Sequence, residues 1–91
     1  MTTDETGYDM VYIWMSEIEY GIKFAEENSP KSPNLKEELR ELKQEYDKMK
    51  NWRGKYKDMS IVKLMRTTKY YCIKAHELYA KVYDELKEEN N

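Results

Sequence analysis

The chain has one cysteine, so no disulfide can form within it. A single thiol fits a reducing compartment, and a cytoplasmic location is expected. There is one histidine, and there are only three glycines and two prolines. Nitrogen and sulfur donors for a metal are therefore scarce, and so are breaks in regular structure. No apolar run approaches the roughly 20 residues needed to cross a bilayer, so no membrane segment is expected. The opening stretch MTTDETGYD is acidic and polar, unlike a signal or transit peptide. Net charge is only −2, which excludes nucleic-acid binding by bulk positive charge. No catalytic apparatus is visible, and an enzyme is not expected.

What is present is helical patterning with an uneven charge. The 91 residues make one domain, 1–91, with residues 1–6 and 88–91 frayed. Tyr8, Val11, Met15, Ile18, Ile22 and Ala25 repeat at alternating three and four, which predicts a first helix over about 8–28. Thr6 and Asp9 form a capping-box-like start. Ile13, Tyr20 and Phe24 run along another side of this helix and are read as an oligomer or partner face. Pro30 and Pro33 break the pattern. Ser32 as N-cap with Pro33 behind it then opens a second helix, about 33–53. Its apolar seam is narrow: Leu35, Leu39, Leu42, Tyr46 and Met49. Gly54 suits its end, and Asp58 or Ser60 can cap a third helix, about 60–87. That helix carries Ile61, Met65, Thr68, Cys72, Ala75, Tyr79, Val82 and Leu86, widened by Leu64, Tyr71 and Leu78. An arc so broad touches two neighbours, and the expected fold is all-α, an up-down-up three-helix bundle.

Charge is concentrated in Lys48–Lys74, where nine bases stand against Asp58 alone. Residues 1–28 hold seven acids and Lys23. A bundle of this topology would have a basic pole at the second turn and an acidic pole at the first. Once core and turn residues are removed, the remaining contact candidates are Arg53, Lys55, Lys57, Lys63, Arg66, Tyr70, Ile73 and Lys74. Lysine and arginine neutralise phosphates, and tyrosine stacks on bases. No named reading motif accompanies them, so nucleic-acid contact would be led by the backbone and sensitive to salt.

Three short patterns carry candidate chemistry. Glu37-Glu38-x-x-Glu41 resembles the EExxE element of all-α nucleotide pyrophosphohydrolases, which implies magnesium, but the ExxD partner is missing: Ala80 follows Glu77 at that spacing. Cys72 and His76 are four apart and could face one ion. No second cysteine or histidine exists, so carboxylates would have to complete the set, and neither a metal site nor a cofactor is expected. Trp52-Arg53-Gly54 resembles the W-x-G signature of small helical-hairpin proteins exported by type VII secretion. Those proteins have one unbroken helix before the tripeptide, and an acidic residue four after a C-terminal tyrosine. Here Pro30 and Pro33 intervene, Tyr83 follows Tyr79, and Lys87 follows Tyr83.

The function expected from the residues is docking of a non-catalytic helical protein on a larger protein or nucleoprotein assembly, as an inhibitor or accessory subunit. The alternatives are direct nucleic-acid binding through Arg53–Lys74 and a W-x-G-like secreted protein. Charge poles also point to homo-oligomers formed head to tail.

Overall fold

The computed structural model describes residues 3–51 and 59–89, and the backbone alone for residues 3–6. Three helices follow one another: α1, Thr3–Asn28; α2, Pro33–Lys50; α3, Ile61–Glu89. They form an all-α three-helix bundle. Arg53, Gly54, Lys55, Lys57, Asp58 and the Trp52–Gly54 tripeptide lie outside the described residues.

Helix α1 begins earlier than periodicity indicated, so Thr6 falls inside it rather than at its cap. Its first turns lie on α3. A Cβ added at Gly7 would meet Ile61 Cγ1 at 2.7 Å and Met65 Sδ at 3.1 Å. This tertiary contact extends the helix beyond what local capping signals define. The far end of α1 is closed by Asn28, whose Nδ2 donates to Phe24 O at 2.8 Å. Ser29 then takes a positive φ of 42° and turns the chain.

Ser32 is the N-cap of α2, with Pro33 next, but its side chain makes no cap hydrogen bond. A carboxylate from α3 holds the backbone just ahead of the helix. Glu85 Oε1 accepts from Lys31 N at 2.7 Å and Ser32 N at 3.2 Å. An anion is favoured at a helix N-terminus, where free N–H groups point outward. Ser60 caps α3 in the ordinary way, its Oγ accepting from Lys63 N at 3.2 Å.

The apolar stripes bury as spaced. Val11, Ile18, Ile22 and Ala25 from α1 meet Leu35, Leu42 and Met49 from α2, and Leu64, Cys72, Ala75, Leu78 and Val82 from α3. Thr68 is fully buried and satisfies its hydroxyl by donating to Leu64 O at 2.8 Å. Helix α1 packs most extensively on α3. Gly7 meets Ile61, Glu17 meets Cys72, Gly21 meets Ala75 and Phe24 meets Tyr79. The offset along these pairs stays at 54 or 55 residues, so the two helices run parallel in one register. Helix α2 runs against both. Tyr46 donates to Glu19 at 3.0 Å, while Lys43 reaches Glu26 and Lys81 reaches Glu38.

These cross-helix pairs also change the expected acidic pole. Glu26, Glu38 and Glu89 are matched by Lys43, Lys81 and Lys31 at 3.3, 2.8 and 3.2 Å. Exposed pairs of this kind add little stability.

Candidate functional site

The site begins with a mid-helix glycine. Gly21 is buried where α1 and α3 come closest, and a Cβ there would lie 3.1 Å from both Cβ and O of Ala75. A hydrogen in place of a side chain accommodates this approach without strain, whereas a methyl would require the neighbours to give by a few tenths of an ångström. One turn before Gly21 stands Glu17; on either side of Ala75 stand Cys72 and His76. The close crossing therefore brings three donors together.

Cys72 Sγ donates to Glu17 Oε2 at 2.9 Å, and His76 Nε2 lies 3.4 Å from the same oxygen. The sulfur, one imidazole nitrogen and one carboxylate oxygen all lie within 4.8 Å of one another. Cys72 is buried, whereas the Glu17 and His76 side chains are 47% and 62% exposed. The thiol thus forms the floor and the other two groups the rim. The bond from Cys72 lowers the Glu17 pKa, aided by the hydrogen bond and charge of His76. Burial, then the bond to Glu17, pushes the Cys72 thiol up to about 12. A thiol held protonated in this way is a poor nucleophile, which agrees with its position in the core stripe.

Glu17 and His76, with Cys72 buried behind them, line a groove of about 430 Å³ together with Ser16, Tyr20, Gly21, Ala75 and Tyr79. Tyr20 stacks on Tyr79 with ring centroids 5.9 Å apart. Ile13, one face-repeat before Tyr20, is 51% exposed, and Tyr20 itself is 65% exposed. From α3, Ile73 and Tyr83 are 50% and 54% exposed. Phe24 differs from its two companions on α1. It is half-buried, packs against the core, and lies 4.1 Å from the Tyr79 ring.

The basic stripe has a different setting. Tyr70 is exposed, with Lys74 Nζ 5.5 Å above its ring and Tyr71 edge-on at 5.0 Å. Lys74 also lies 3.8 Å from Glu77. Both residues border a second groove, about 360 Å³, whose other walls include Glu38, Glu41 and Glu45. That wall repels phosphate. Lys63 and Arg66 are exposed on α3. Structure thus splits the stripe. Tyr70 and Lys74 belong to an acidic-walled groove between α2 and α3, and Lys63 and Arg66 stand nearer the start of α3.

Of the EExxE acids, Glu37 is bound by Arg40, with Nε to Oε2 at 3.0 Å, and Glu38 by Lys81. These carboxylates are tied into separate ion pairs rather than aimed at one point.

Glu17 is the residue that sequence reasoning did not attach to Cys72 and His76. Its usable signal was Gly21, since a glycine inside a strongly helical pattern indicates close packing. No protein-family model, curated protein or solved structure matches the chain.

Proposed function

We propose that this is a non-catalytic, cytoplasmic helical binding protein that docks on a larger protein or nucleoprotein assembly. The docking face is the α1–α3 side, and its occupant is an amphipathic helix of the partner. The observation that carries this reading is the groove floored by Gly21 and Ala75. Small residues at its floor leave a trough between two parallel helices, and Ile13, Tyr20, Ile73 and Tyr83 remain exposed on the same two helices. A ridge of apolar side chains spaced at helical intervals fits such a trough. Ile13 and Tyr20, seven apart on α1, lie along one rim of the trough, and exposed apolar side chains that share a face mark contact surfaces more often than isolated ones do.

Photo-crosslinking in the native host tests the reading. A crosslinking residue at Tyr20 or Ile13 should capture one identified protein, and the same group at exposed Arg40 on α2 should not. Ile13→Lys with Tyr20→Glu should abolish capture from a crosslinking residue at Ser16 in the same trough, while circular dichroism stays helical. Equal capture from α2, or capture that survives the double variant, would overturn the reading. Mass by light scattering distinguishes a second copy of the chain as the occupant. Nucleic acid as the direct partner is supported less well, because Lys74 is paired and acids line the adjacent groove. Its mark would be a mobility shift lost on adding salt and on Arg66→Glu.

A further inference from the structure

We propose that Glu17, Cys72 and His76 form a zinc site that clips α1 to α3, with its fourth coordination position on the groove. This inference rests on the donor geometry and not on the docking reading.

The donor set comes first. Thiolate, imidazole and carboxylate together suit zinc, which accepts sulfur, nitrogen and oxygen in tetrahedral geometry. Magnesium and calcium prefer oxygen throughout. Spacing comes next. Zinc bonds of about 2.0–2.3 Å place neighbouring donors about 3.3–3.8 Å apart. His76 Nε2 and Glu17 Oε2 already lie 3.4 Å apart. Cys72 Sγ and the same oxygen lie at 2.9 Å, the spacing of a shared proton. An ion replaces that proton: the Sγ–H bond breaks, its electron pair goes to zinc, and the proton leaves to solvent.

Placement supports the same conclusion. Cys72 and His76, four apart, project from one face of α3, as paired ligands on a helix do. Glu17 faces them from α1, and its carboxylate is within reach of both. The pair of helices is held at fixed separation by the Gly21–Ala75 contact, so the donors are positioned by backbone packing rather than by flexible loops. The rim residues face the groove, which gives an ion an entry path and a water a place to bind.

Cobalt substitution is the test, in a thiol-free reductant with the full chain. One equivalent of Co²⁺ should give thiolate-to-cobalt charge-transfer absorption with tetrahedral ligand-field bands, and one equivalent of Zn²⁺ should displace them. Cys72→Ser should remove the charge-transfer band. His76→Gln and Glu17→Gln should each weaken cobalt binding by about tenfold or more, since even outer ligand partners contribute that much. Absence of the band in the unmodified protein overturns the proposal. So does a band whose affinity is unchanged in both Gln variants, because that is cobalt on a lone thiol. X-ray absorption of the zinc-loaded protein decides without any variant. One sulfur at about 2.3 Å beside nitrogen and oxygen supports the site, and a shell without sulfur overturns it.

Discussion

Replacing Gly21 by alanine sets two effects of opposite sign against each other. Inside a helix, glycine to alanine is worth about 1 kcal/mol of stabilisation from backbone entropy alone. Here the new methyl would sit 3.1 Å from Ala75 Cβ and 3.1 Å from Ala75 O. Carbon contacts are comfortable near 3.5–4.0 Å, so α1 and α3 must part by roughly 0.4–0.9 Å. One of the two opposing atoms is main chain and cannot rotate away. Overpacking of this kind costs about 1–3 kcal/mol. The expected result is a net loss of about 0–2 kcal/mol by urea denaturation, read by circular dichroism. Ala80→Gly, on the exposed face of α3, calibrates the propensity term and should cost about 1 kcal/mol. Adding Ala75→Gly to Gly21→Ala removes the methyl–methyl contact but not the methyl–carbonyl one, so the double variant should show partial positive coupling. Stabilisation of Gly21→Ala by the full propensity gain would refute the close crossing, and with it the placement of Glu17 beside Cys72.

Two further predictions concern α2. Burial and the bond to Glu19 raise the Tyr46 pKa to about 12, above its ordinary value near 10. That contribution to stability is complete below about pH 10 and is lost as pH rises through about 12. A spectrophotometric titration should show a late tyrosine step that loses one tyrosine's amplitude in Tyr46→Phe and moves earlier in Glu19→Gln; an unchanged late amplitude in Tyr46→Phe would contradict this. Glu85→Ala removes the carboxylate that holds Lys31 N and Ser32 N. It should cost about 0.5–2 kcal/mol, as loss of a helix cap does, and speed hydrogen exchange at the Ser32 amide. Unchanged exchange there would show that the clamp is not formed in solution.

Helices α2 and α3 were legible because their apolar positions follow one period without interruption. Leu35, Leu42 and Met49 are buried, with Leu39 and Tyr46 half-buried beside them. The start of α1 was not legible, because Gly7 owes its helical place to Ile61 and Met65 rather than to its neighbours in sequence. The exposure of Tyr70 and Ile73 could be read from their angular position on α3. The acidic wall that faces Tyr70 and Lys74 could not, since it comes from α2. The cluster of Glu17 with Cys72 and His76 was hidden for a similar reason. Its members are 55 residues apart across the bond, and the chain offers 18 acids as candidates. Periodicity places a side chain on a face, but the register between two helices is fixed by packing and turn length.

The largest interface in the bundle joins its first helix to its last, in parallel. Such contacts close long loops, and the entropy of closing them is lost before the contacts form. During synthesis α1 and α2 therefore emerge with the face meant for α3 uncovered. The α1–α2 turn waits as well, because Glu85, which fastens Lys31 and Ser32, lies late in α3. Native structure should consequently arise in one cooperative step once α3 is made, with no stable hairpin before it, and a nascent chain stopped before α3 is the form most exposed to aggregation and proteolysis.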